Sequence, residues 1–404
     1  MLLPSGSSAQ VAELRSLLRS SHRVRPKCEV LTVTHGRVTD LSRWVVDGQV
    51  EIDCLDPLRR PTRSATVTLL DPDRRSRLTG GSNADGSIAL DRMIRLSREY
   101  WLPSARVWLP VPIFTGPITD VTPHGDTIEV EAQGKEYWAL QPIWSSLSWR
   151  AGTKRTQVIR DLMRWRAGET RFSIPPAWGA KLGRTLSTAR KIDDEKATVW
   201  ALVRGQARAL GADVFYDGAG TLRLRRRPVL PVWTINADDI SGDIERSERR
   251  SEIKNVVMVT GGVARAGAAR GGQRDSAGGG ASSAVWTPPA PTVTRSIRPP
   301  HPWAPERLGR PSAPHRKVEK VEDSDLLTQA AVNAVAARMI RAQQTGSLEV
   351  KATALPVPMV EEWDLLAIRA SGLSRTRLHK ATIPLVDGLM DIGSIRSYTP
   401  RRVR

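Results

Sequence analysis

Apolar and polar positions along the chain follow two different periods, and the changes between them divide it. Near the start, Val11, Leu14, Leu17 and Leu18 recur at helical spacing and predict a short amphipathic helix from Val11 to Leu18. From Cys28 to about Ala139 the period drops to two. Val30, Thr32 and Thr34 alternate with Leu31 and Val33, Ala65, Val67 and Leu69 with Thr66 and Thr68, and Ile128, Val130 and Ala132 with Glu129 and Glu131. Turn formers separate these runs, in DPLRRP, DPDRRSRLTGGSNADG and PHGD. Repeated short strands with turn signals imply a sandwich or barrel, not a parallel α/β sheet.

After Gly134 the helical period returns. Thr153 to Trp165 places Val158, Ile159, Leu162, Met163 and Trp165 on one face, and a second helix is predicted from Asp194 to about Leu210, closed by Gly211. ADVFYDGAGTLRLRR then reads as a β-hairpin about the turn Asp217-Gly218-Ala219-Gly220. Asn255 to Thr260 is another strand. From Gly261 to about Arg316 the chain is rich first in Gly, Ala and Ser and then in Pro, which predicts a flexible or polyproline-like insertion. Asp323 to Arg369 resumes regular structure. Ser324 or Asp325 caps a helix with an apolar stripe of Leu327, Ala331, Val335, Met339 and Ile340, Gly346 stops it, and Leu348, Val350 and Ala352 begin a half-buried strand. A Pro-rich turn, a further strand and a last hairpin around HKATIPLVDGLMDIGSIRSYTP follow.

Composition narrows the partners. With 61 Lys and Arg against 42 Asp and Glu the formal net charge is +19, which favours anionic partners but also fits a solvated, Arg-rich surface. The basic runs RLRRRP, ERSERRSEIK and the terminal RRVR are scattered, and three Phe and four Tyr offer few stacking platforms for bases. Most of the 13 Trp, such as Trp44, Trp138, Trp200 and Trp363, lie in apolar runs that suit a core. Cys28 and Cys54 each sit in a strand-like run, so buried free thiols are expected. The N-terminus lacks the layout of a signal peptide, and no run approaches the ~18 apolar residues of a membrane span, so synthesis and folding in a reducing cytoplasm are expected.

The search for reactive chemistry ends without a constellation. The six His, at 22, 35, 124, 301, 315 and 379, lack metal-ligand spacing. AGTKRT lacks the first Gly and the Gly-Lys-Thr adjacency of a phosphate loop, and GGSNA ends in Ala where a nucleophile elbow needs Gly. The adjacent carboxylates Asp238 with Asp239 and Glu361 with Glu362 read as solvated turn residues. We expect no catalytic residue, cofactor or metal.

The order of these pieces, more than any single motif, resembles the central tail-hub (baseplate hub) proteins of long-tailed bacteriophages and their relatives in injection systems. RSATVTLLDPD, then IALDRMIRLSREYW and VPIFTGPITDVTPHGDTIEVEAQGKEYWAL, is similar to that family's first barrel. ALGADVFYDGAGTLRLRR is similar to the helix and hairpin of its inserted α+β domain, EIKNVVMVTGG to the strand re-entering the second barrel, and Asp323 to Arg369, a long Ala-rich helix and then the strand of PVPMVEEWDLLAIR, to its closing portion. In the last of these Trp363-Asp364 stands where Gly-Asp is usual.

The resemblance implies a mainly β fold with an α+β insertion, in which two tail-tube-like barrels flank a small α+β domain. Residues 1–27 are then an N-terminal arm, 28–140 the first barrel, 141–240 the middle domain, and 241–404 the second barrel with its insertion at 261–316. It also implies a non-enzymatic virion protein at the tail tip, made in the host cytoplasm. As a homotrimer it would adapt the sixfold tail tube or distal tail protein to threefold tip or receptor-binding proteins, meet the tape-measure protein, and gate the transient passage of genomic DNA. Arg223, Arg225, Arg226, Arg227, Leu327 and Val335 are the candidate protein-interface residues. A distal tail ring or adaptor protein, or a basic polyanion-binding or nucleic-acid-binding protein, are the alternatives.

Overall fold

The computed structural model describes residues 6–20, 22–54, 58, 60–70, 88–90, 92–143, 146–175, 185–186, 189–192, 198–226, 228–248, 254–262, 289–299, 301, 304–308, 314–323, 328–343, 346–369 and 373–398. The chain divides into two compact units. The first comprises 1–246 with 349–395, and the second 247–348 with 396–404.

The first unit opens with α1 (Ser8–Leu17), held by a capping box between Ser7 and Gln10 and burying Val11 and Leu14. The two-residue period then yields β1 (Val24–Leu31), β2 (Arg37–Asp40), β3 (Val45–Asp53), β4 (Arg63–Leu70), β5 (Met93–Leu102), β6 (Val107–His124) and β7 (Thr127–Gln133). In β4 the alternation is strict, with Arg63, Ala65, Val67 and Leu69 buried and the residues between them half-buried.

The α+β insert follows: α2 (Glu136–Ala139), β8 (Leu147–Trp149), α3 (Arg155–Ala167), β9 (Phe172–Ser173), β10 (Arg190–Ile192), α4 (Val199–Ala209), β11 (Asp213–Tyr216) and β12 (Leu222–Arg225). Val158, Ile159, Leu162 and Met163 of α3 meet Trp200 and Val203 of α4 and Val214 and Leu224 of the hairpin in one core. Trp165 is not part of it. Its side chain lies 67% exposed at the end of α3, because the helix turns its buried face through 158, 159, 162 and 163. The residues just ahead of α4, 193–197, lie outside the described set.

After β13 (Trp233–Ile235) and β14 (Ile240–Glu248) the chain forms the second unit, with β15 (Val256–Gly261), β16 (Thr292–Ser296), α5 (Pro305–Leu308), β17 (Val318–Asp323) and α6 (Gln329–Gln343). β15 is central, antiparallel to β16 and parallel to β17. Two ordered elements, β16 and α5, thus fall inside 261–316, which the Gly/Pro-rich composition marked as flexible throughout. Val293 and Ile297, apolar residues among the prolines, give that segment a face to bury against Val257 and Val259. The buried stripe of α6 is Val332, Ala336 and Ile340, with Val335 and Met339 partly buried beside it, while Leu327 and the expected caps Ser324 and Asp325 lie outside the described residues.

The chain returns as β18 (Gly346–Ala354), β19 (Leu365–Ile368), β20 (Leu373–Pro384) and β21 (Met390–Tyr398). Among the described residues thirteen strands join in one sheet, ordered β14-β18-β21-β20-β3-β4-β7-β6-β5-β1-β2, with β13 and β19 attached beside β20. The mainly β class with an α+β insert is as expected. The strands assigned to a first and a second barrel are continuous with each other through β20 and β3, paired from Lys380 with Asp53 to Pro384 with Gln49, and the described pairings run as an open path. The sheet curls, since Arg98 of β5 donates to Pro384 O at 2.6 Å and Val386 O at 2.9 Å near the far end of β20.

Candidate functional site: an ionic seam between sheet and insert

The run VPMVEEWDLLAI places three carboxylates between apolar residues that go inside. Val357, Met359, Val360 and Leu365 are all buried, and they carry Glu361 (4% exposed), Glu362 (2%) and Asp364 (0%) in with them. These glutamates are therefore not the solvated turn residues the sequence suggests. The turn closes on itself, with Asp364 N donating to Glu361 O at 3.1 Å and Glu361 N donating to Asp364 Oδ2 at 2.9 Å. Trp363 sits at φ 57°, the left-handed region that a Gly adopts without cost. A tryptophan thus takes here a conformation that suits glycine.

Each acidic group has a partner on a different element. Arg63 of β4 pairs with Glu361 and donates to Ile113 O at 2.8 Å. From β12, Arg225 reaches Asp364 Oδ1 at 2.8 Å and Glu362 O at 2.6 Å, with its guanidinium 4.5 Å from the Phe215 ring. Thr62, just ahead of β4, sets its hydroxyl between Glu362 Oε1 and Glu136 Oε1, the latter at 2.8 Å, and Glu136 opens α2. Burial pushes the Glu361 carboxyl up to about 7 with Arg63 opposing, and that of Glu362 up to about 8, where Glu136 adds repulsion. Burial raises the Glu136 carboxyl too.

A second cluster continues the seam. Lys135 Nζ lies 2.5 Å from Glu169 Oε2, 3.0 Å from His35 Nε2 and 3.2 Å from Gly220 O, and Arg171 approaches His35 Nδ1 at 3.1 Å. Burial, reinforced by Lys135, Arg171 and Arg95, drives the His35 pKa down to about 3. The ring is therefore neutral and has a single acceptor nitrogen, so it takes a hydrogen bond from Lys135 or from Arg171 but not from both. Thr115 of β6 donates to Gly218 O at 2.9 Å in the β11–β12 turn. The backbones approach so closely there that a Cβ on Gly218 would stand 2.3 Å from Pro112 O.

Most of these side chains are buried and the rest half-buried, so the seam can hold charge and protons between elements and fix the insert on the sheet. Two of the arginines singled out in the sequence belong to it: Arg225, and Arg223, whose Nε lies 2.5 Å from Asp217 Oδ2. Arg226 is exposed next to them, Arg227 lies outside the described residues, and Val335 sits on α6 in the second unit. Thr62, Arg63, Lys135, Glu136 and Glu169 carry no mark of this role in the sequence, where the apolar flanks of VEEWD are the one local signal of burial. Among the described residues no three His, Cys, Asp or Glu converge as a metal site, and no helix is long and apolar enough to cross a membrane.

Compared with solved structures, the chain superposes on the prophage MuSo2 43 kDa tail protein from Shewanella oneidensis with a TM-score of 0.57 at 10% identity, covering 93% of this chain and 98% of that one. The fold is that of phage tail proteins. The tail protein from Neisseria meningitidis MC58 matches with a TM-score of 0.55 at 12% identity over 92% of this chain and 97% of its own. Prophage tail protein gp18 from Listeria monocytogenes EGD-e matches at 0.50 and 9% identity, over 93% and 95%. No protein-family profile matches the sequence, and no curated protein matches it.

Proposed function

We propose that this chain is a structural virion protein that forms the hub ring at the tip of a phage tail. The observation that carries the proposal is extent: the tail-protein fold takes in 93% of this chain and 98% of the Shewanella tail protein, so insert and sheet are matched together. In this reading three copies form a ring that adapts the sixfold tail tube or distal tail protein to threefold tip proteins, meets the tape-measure protein, and gates DNA passage on infection. The role is mechanical, which suits a seam whose charges are spent on one another.

Native mass measurement of the purified full chain, followed by electron microscopy of the particle that carries it, tests the proposal. A trimer located at the tail tip is the expected result. A hexamer would favour a distal ring protein, and a stable monomer absent from tail tips would overturn the hub reading.

A further inference from the structure

The contact at Thr62 raises a question of proton count. Its hydroxyl carries one hydrogen and can donate once, yet carboxyl oxygens of both Glu136 and Glu362 lie within hydrogen-bonding distance of it. Both contacts are hydrogen bonds only if one carboxyl is protonated and donates to Thr62 Oγ1 while Thr62 donates to the other. Glu136 and Glu362 are 0% and 2% exposed, and Glu136 Oε2 has no hydrogen-bond partner among the described residues, so no solvent stands in for a missing proton. Nor is there room to swing apart on the sheet side: a Cβ on Gly134 would stand 2.3 Å from Glu136 Oε2.

We propose that Thr62, Glu136 and Glu362 form a proton-holding site that fastens the 361–364 turn to α2, and that loss of its proton in mildly alkaline solution releases the turn. The step breaks one carboxyl O–H bond, and the proton passes to hydroxide or buffer. It leaves two carboxylates facing a hydroxyl that can satisfy one of them.

The surroundings decide where this happens. Arg63 from β4 and Arg204 from α4 favour the ionised forms; Arg63 is already paired with Glu361, whereas one guanidinium nitrogen of Arg204 has no hydrogen-bond partner among the described residues. Asp364 is taken by Arg225, and Asp217 faces Glu361 and Arg63. Cys54, beside Glu362, has its thiol pKa raised by burial and by that glutamate, and so adds no charge. Burial outweighs the two arginines and lifts Glu362 to about 8. Between the ordinary carboxylate range and that value the folded chain holds a proton that the unfolded chain lacks. Stability is therefore fully present below the ordinary range, falls as pH rises to about 8, and is level beyond it.

The test is urea unfolding of the full chain from about pH 5 to about pH 9, for the natural sequence and for Glu362→Gln. The midpoint of the natural sequence is expected to fall more steeply than that of Glu362→Gln by about one proton, the slope left in the variant being that of Glu361 and, with opposite sign, His35. Parallel profiles would overturn the proposal. Should Glu362→Gln fail to fold, infrared spectroscopy of the natural sequence decides. A carboxylic-acid C=O band that persists at about pH 7.5, above the value for Glu361, and is gone by about pH 9 is expected, and its absence at about pH 7.5 would overturn the site. Hydrogen exchange of the 361–364 amides tests the release. Protection corrected for intrinsic rates should drop across the same range, and unchanged protection would overturn it.

Discussion

Among single residues, Arg225 ties two elements of the seam together. It joins the hairpin to the turn through Asp364 at 2.8 Å and Glu362 O at 2.6 Å, and Asp364 is fully buried. Arg225→Ala would leave that carboxylate inside without its cation, so a loss of about 3 kcal/mol is expected in urea unfolding, at the low end of the range for broken buried pairs because the arginine is itself one-fifth exposed. Arg225→Lys should recover part of the loss only, since one ammonium cannot serve both acceptors with the geometry of the fork. A loss within 0.5 kcal/mol, as at an ordinary surface position, would show that the turn is held by other contacts. At this scale the sequence was a poor guide. It displays Glu361 beside Glu362 but not Arg63, nearly 300 positions away, and adjacent acids without a visible partner read as solvated. Trp363 was no better a guide, because a tryptophan in place of the usual glycine gave no sign of the left-handed backbone that the structure contains there.

At the scale of elements, local signals were legible and relations between elements were not. The hairpin at Asp213–Tyr216 and Leu222–Arg225 follows directly from alternation about an Asp-Gly-Ala-Gly turn, with Asp217 Oδ1 accepting from Thr221 N at 2.9 Å. The face of α6 did not follow. Its run of alanines leaves several stripes nearly equal in apolarity, and contact with Val257, Val259 and Ile297 selects the one through Val332, Ala336 and Ile340. Val332 is 0% exposed, so Val332→Ala should destabilise the second unit by about 2 kcal/mol through lost burial and the cavity left behind. Val335→Ala, at the margin of the same cluster, should cost less than half as much. Thermal unfolding followed by exchange at β15 amides separates the two, and an equal loss from both would restore the stripe read from the sequence. Val335→Asp should still impair the unit, since that side chain packs partly against the core.

The whole molecule poses the question of its charge. Strand alternation marked several of the strands but not the pairing across more than 300 residues of β3 with β20, and the continuity of the sheet was hidden for that reason. The net charge of +19 was plain from the start, and internal pairing leaves that surplus in place while committing particular cations. Several described basic side chains are committed to carboxylates of the same chain, including Arg25 to Glu99 at 2.6 Å, Arg60 to Asp53 at 2.7 Å, and Arg63, Lys135, Arg223 and Arg225 in the seam. A conduit that lets DNA through gains nothing from gripping phosphates, and paired arginines release few counterions on meeting them. The full chain should therefore be retained on duplex DNA only at low salt, near 50 mM, without sequence preference, and be free of it by about 200 mM, while its own association persists through the same range. Filter binding and sedimentation on one sample read both quantities. DNA retention that survives about 200 mM salt while the protein stays monomeric would replace the hub reading with that of a polyanion-binding protein.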